Sequence, residues 1–154
     1  MSVAFRREGD DEHKEPRFEI PIAPGPNLVT ARGLALIAAR VAELDQAIAT
    51  TADDDAREGL RRDQRYWATR LATARIAPAP DEGEVGIGSR VTFALGGVTR
   101  TIAIVGGDEA DPAGDRIAFT APLARAMMGA AAGEAVDYNG TAEGITVIAV
   151  EEDR

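Results

Sequence analysis

Two stripes of residues, each spaced in steps of three and four and joined by a short acidic run, constrain this chain more than any other feature. Leu34, Ile37, Val41, Leu44 and Ile48 form the first stripe, and Leu60, Gln64, Trp67, Leu71 and Ala74 form the second. Such steps place residues on one face of an α-helix. Between them, Thr51-Ala52-Asp53-Asp54-Asp55 is too short and too polar to be anything but a turn. The two stripes therefore pack antiparallel as a helical hairpin. With ~20 residues per arm at about 1.5 Å each, the hairpin reaches roughly 30 Å and carries three carboxylates at its tip. Thr30 is the expected N-cap of the first helix, with Val29 and Leu34 in the positions of a hydrophobic staple. Asp55 and Glu58 have capping-box spacing for the second helix, which Pro78 and Pro80 end.

Composition narrows what such a hairpin serves. The 154 residues are 45% apolar and 28% charged, as in a soluble globular protein, with a net charge of -9 and no visible basic patch to neutralise duplex phosphates. There is no cysteine, hence no disulfide framework and no thiolate metal site. No window approaches the ~20 apolar residues of a membrane span, and the N-terminus leads into charges; the expected location is cytoplasmic, with no membrane partner. Residues 1–26 read as a charged tail ending in prolines, either disordered or a loosely docked arm. Its apolar spots, Val3-Ala4-Phe5 and Phe18 to Ile22, suit an extended strand along a surface. His13 sits among charges and is read as solvated.

After a linker at 78–84 the period changes from helical to alternating. Arg90 to Leu95 and Val98 to Val105 alternate on either side of Gly96-Gly97, the signature of a β-hairpin. Arg116 to Thr120 is a short strand, Pro122 starts a helix that runs to Gly129, and Ala135 to Asn139 and Ile145 to Val150 are further strands. Residues 85–154 thus read as a small α+β domain with one short helix.

Several blocks, in order, resemble the Gre-type transcription elongation factors. Val29-Thr30-Ala31-Arg32-Gly33-Leu34 is similar to the family's opening, and Arg65-Tyr66-Trp67-Ala68-Thr69-Arg70-Leu71 to the return arm of its coiled coil. Ile104-Val105-Gly106-Gly107-Asp108-Glu109 resembles its strand and acidic loop, and Ala121-Pro122-Leu123-Ala124-Arg125-Ala126 its Ser-Pro-Leu-Ala-Arg-Ala helix, with Ala121 in place of serine. The resemblance covers about residues 27–152. It implies a coiled-coil hairpin at 27–77 followed by an FKBP-like domain at 85–154. It also implies bacterial RNA polymerase as partner, nucleic acid being met only indirectly in the elongation complex. The globular domain would meet polymerase through Asp108, Glu109, Pro122, Leu123 and Arg125, and the hairpin would enter the secondary channel. There, carboxylates of Asp53, Asp54 and Asp55, with Glu58 nearby, would help hold a Mg²⁺ shared with polymerase and stimulate cleavage of backtracked RNA. The chain alone implies no cofactor and no intrinsic catalytic residue.

The tip departs from the family, lacking the acidic loop that runs through Leu-Ser-Glu-Asn-Ala and an aromatic, and both arms are shorter than the family norm. A solvated, helix-capping turn explains Asp53, Asp54 and Asp55 equally well. Pro122, Leu123 and Arg125 equally suit the start and packing of a short helix. Two other functions stand beside cleavage: a secondary-channel regulator that does not provoke it, and a prolyl isomerase of FKBP type, for which Phe93, Phe119 and Tyr138 would be the only pocket aromatics.

Overall fold

The structure is a computed structural model that describes residues 18–153; the expectations for His13 and Val3-Ala4-Phe5 lie outside the described residues. A helical pair comes first. Helix α1 spans Ala31–Thr50 and α2 spans Asp54–Thr73, both 20 residues long. Two short strands close their base, β1 (Leu28–Val29) running parallel to β2 (Arg75–Ile76). Arg75 N donates to Asn27 O at 3.0 Å and Ala77 N to Val29 O at 2.9 Å, so the chain is clasped where it enters and leaves the hairpin.

Each helix starts for a local reason. The Thr30 hydroxyl accepts from Gly33 N at 3.0 Å, the expected cap of α1. The cap of α2 differs from the capping box expected at Asp55 and Glu58. Asp53 holds an extended backbone and accepts from Ala56 N at 2.8 Å. The first acid of the run to take that backbone captures the cap, which leaves Asp54 and Asp55 inside the first turn, where the positive end of the helix dipole favours them.

The two stripes are not equally covered. Ile37 and Leu44, seven residues apart, are each 1% exposed. The second stripe, Leu60, Gln64, Trp67, Leu71 and Ala74, is only half-buried throughout. Two helices alone leave both flanks of the seam open to water, so the mutual burial expected from the spacing is complete only at Ile37 and Leu44 of α1 and halfway elsewhere in both stripes. Trp67 packs its ring edge-to-face with Tyr66, centroids 5.3 Å apart.

The rest of the chain is a five-stranded sheet in the order β5-β4-β3-β7-β6. Its strands are β3 (Ser89–Leu95), β4 (Val98–Val105), β5 (Arg116–Ala118), β6 (Ala135–Tyr138) and β7 (Thr141–Glu152). All neighbours are antiparallel except β4 and β5. Gly96 and Gly97 join β3 to β4 with φ of 58° and 78°, the backbone that two-residue hairpins need and that only glycine adopts freely. Helix α3 (Pro122–Met127) covers one face, placing Ala124 and Met127 against Val91, Phe93, Ile102, Ile104, Ile145 and Val147, all fully buried. β7 is longer than its apolar run because Asn139 and Gly140, both at positive φ, turn the chain directly back from β6.

Candidate functional site

The hairpin and the sheet domain meet at a 3₁₀ turn, Gly107–Glu109, that follows β4. Its two acidic residues grip one helix each. Asp108 accepts from Arg70 Nε at 2.6 Å and from the Tyr66 hydroxyl at 2.5 Å, both on α2. Glu109 accepts from Thr30 Oγ1 at 2.7 Å and lies 3.7 Å from Arg32 Nη1, both at the start of α1. Asn27 completes the junction: its amide nitrogen donates to Arg70 O at 2.8 Å, and its amide oxygen accepts from Arg70 Nη2 at 2.8 Å. Every member of this set is at least partly buried except Arg32, whose side chain is about half-exposed.

Close backbone approach makes the junction possible. A Cβ on Gly106 would sit 2.6 Å from Leu28 O, so only glycine lets the end of β4 reach β1. A Cβ on Gly33 would meet Glu109 Oε2 at 3.0 Å, which explains a glycine among the strong helix formers of α1. Burial first, then the hydrogen bond to Asp108 and its negative charge, push the Tyr66 hydroxyl up to about 12.

The expected site residues fall in three places. Asp53, Asp54 and Asp55 are exposed at the tip and Glu58 is half-buried one turn along. Asp108 and Glu109 belong to the junction, their carboxylates turned inward and engaged by the hairpin, with Glu109 6% exposed. Pro122 and Arg125 are exposed on α3, while Leu123 packs against the core. Phe93 is fully buried in that core and Phe119 and Tyr138 pack against it. Sequence reasoning missed Asn27, Tyr66 and Arg70 as junction residues; the one available signal was Gly33, a helical glycine that needed a reason.

At the tip, oxygen donors of the kind Mg²⁺ prefers are present as a partial set. Asp53 is committed to its cap, and among the described residues no group of three or more His, Asp or Glu converges on one point. Such carboxylates fit an ion whose remaining ligands come from phosphate, water or another protein.

The likeness to a known family lies in the sheet domain. The sequence model described as "Transcription elongation factor, GreA/GreB, C-term" matches residues 79–152. Residues 79–152 are thus similar to the C-terminal part of GreA/GreB factors. The transcription elongation factor GreA of Thermomicrobium roseum is 38% identical to this chain over 77 residues, 46% of this chain and 49% of that protein. The match thus spans about half the length of that curated relative. Among solved structures, the GreA factor homolog 1 protein of Thermus thermophilus is 18% identical with a TM-score of 0.38, covering 82% of this chain and 99% of that one. The GreA/GreB elongation factor of Nitrosomonas europaea is 18% identical with a TM-score of 0.38, covering 82% and 98%. Among the described residues, no helix is long and apolar enough to cross a membrane.

Proposed function

We propose that this chain is a transcription elongation factor that binds bacterial RNA polymerase, docks with its sheet domain and sends its hairpin into the secondary channel. The observation that carries this reading is the junction at Asp108 and Glu109. A Gre-type domain holds both helices of a ~30 Å hairpin at their base, so the arm is presented as a unit rather than on a loose tether. Pro122 and Arg125 lie exposed on α3, where a docking surface can use them. The junction carboxylates serve instead to aim the arm.

At the tip, Asp54 and Asp55 bring negative charge to the end of the probe, while Asp53 keeps the first turn of α2 formed. A Mg²⁺ ion shared with polymerase would supply an activated water and charge stabilisation in phosphodiester cleavage. The chain's own part is to position carboxylate oxygens and to keep the turn rigid. The commitment of Asp53 to its cap favours a second reading, a channel-occupying regulator without cleavage. Stalled elongation complexes separate the two. Transcript shortening by the wild type that vanishes in the Asp54→Asn/Asp55→Asn variant supports cleavage, and binding without shortening supports the regulator. Absence of polymerase binding contradicts both.

A further inference from the structure

A cleft of about 620 Å³ lies between the hairpin base, the linker and the C-terminal end of β7. Its apolar lining includes Val29, Ile76, Ile87 and Val150, and Ile76 is 56% exposed. Around these stand the carboxylates of Asp81, Glu82, Glu84, Glu109, Glu151, Glu152 and Asp153, while among the described residues Arg32 is the one cation in the lining. Of these, Arg32 and Glu109 already serve the junction and Asp153 pairs with Arg90; the other five carboxylates take no part in either.

The C-terminal end of β7, which lines the cleft, has one open edge. β6 pairs with β7 only as far as Thr146, and the last hydrogen bonds on that side join Val147 to Gly133 and Glu134. On the other side β3 continues to pair with β7 as far as Glu152. Asp153 N donates to Gly88 O, towards β3. Backbone groups of a strand alternate in direction, so Glu151 also faces β3 while the amides and carbonyls of Val150 and Glu152 face away from it. No described strand pairs with that side of β7 beyond Val147. An edge of this kind templates an added strand, with main-chain hydrogen bonds giving affinity and alternate side chains giving specificity.

We propose that this cleft takes an extended, arginine- or lysine-bearing segment of a partner protein, added along β7 beyond the end of β6. Alternate side chains of such a strand point into the apolar lining, and the intervening cations meet the carboxylate rim. Charge decides the partner's sign, because an acidic segment would stand against the five carboxylates that neither Arg32 nor Arg90 engages. The main-chain edge decides its shape, because a helix has no free amides to give it. This inference does not depend on polymerase binding.

The test uses the full chain and two ten-residue peptides, one alternating valine with arginine and the other valine with glutamate. Amide exchange is followed at Val150 and Glu152, with affinity measured by calorimetry. The arginine peptide is expected to bind and protect both amides, and the glutamate peptide to do neither. The exposed-site variant Glu82→Lys/Glu151→Lys should weaken binding roughly tenfold and flatten its salt dependence. Glu152→Pro removes an amide that β3 does not use, and should weaken binding more than Glu152→Gln does. Equal binding of both peptides, binding of neither, or protection elsewhere overturns the proposal. So does protection of Val150 and Glu152 in the free chain that disappears in Arg6→Glu/Arg7→Glu, since the occupant would then be the chain's own N-terminal residues.

Discussion

The guanidinium of Arg70 and the carboxylate of Asp108 meet at 2.6 Å across 38 residues of sequence, with side chains only 12% and 7% exposed. One belongs to the hairpin and the other to the sheet domain, so their pairing is a tie between the two parts. A pair this well enclosed needs further hydrogen bonds to offset desolvation, and Tyr66 and Asn27 supply them. Removing one partner strands a charge. Arg70→Ala or Asp108→Ala is expected to cost about 3 kcal/mol, a fall in Tm of roughly 10 °C for a chain of this size. Thermal unfolding checks this, and a double-mutant cycle should show strong coupling between the two positions.

Gly106 and Gly59 should respond in opposite directions to alanine. At Gly106 the new Cβ would lie 2.6 Å from Leu28 O, and the expected loss is about 1–3 kcal/mol as β4 and β1 are pushed apart. At Gly59, inside α2, nothing lies within 4 Å, and the helix should gain about 1 kcal/mol. Chemical denaturation of the two variants decides it; equal effects would mean the close approach at the base is not real.

The tip separates capping from charge. Asp53→Ala removes the acceptor for Ala56 N and should cost about 1 kcal/mol, while Asp53→Asn keeps a side-chain oxygen and should cost little. If both variants lose the same stability, the cap is not what Asp53 contributes.

Tyr66 gives a signature at high pH. Its hydroxyl titrates at about 12 in the folded chain, above the ordinary 10.0, so the folded state holds that proton more tightly than the unfolded state. The contribution is fully present below pH 10 and is lost as pH rises from 10 to about 12. Stability measured across that window should fall in the wild type and fall less in Tyr66→Phe. Absorbance of tyrosinate should show the late titration of Tyr66 in the wild type and its loss in the variant.

How much of this was legible in the sequence differs from part to part. Stripe spacing located both helices, and alternation around Gly96-Gly97 located β3 and β4, because those signals are local and periodic. The cap of α2 was misplaced by two residues, since four acids within six positions all offer plausible caps and only the backbone conformation at Asp53 selects one. The junction was the hardest to see. Asn27, Arg70 and Asp108 are separated by more than 35 residues each, and nothing periodic links them. Asp108 and Glu109 looked like loop acids free for a partner. Their burial follows from where β4 ends, a property of the assembled sheet.

At the N-terminal side, Glu19 reaches Arg65 on α2 in a bidentate pair, its carboxylate held below the usual range by that hydrogen bond. Both groups are solvent-facing, so the pair orients the residues before β1 and contributes little to stability.

The central claim is that the sheet domain holds the hairpin in a fixed direction through Asp108 and Glu109. The chain contains no cysteine, so spin labels can be placed singly at Ala56→Cys, near the tip, and at Thr99→Cys, exposed on β4. Pulsed electron–electron resonance on that pair should give one narrow distance distribution, which broadens when Asp108→Ala and Glu109→Ala are added while the helical circular dichroism is retained. A broad distribution before those changes, or a narrow one that survives them, would contradict the account.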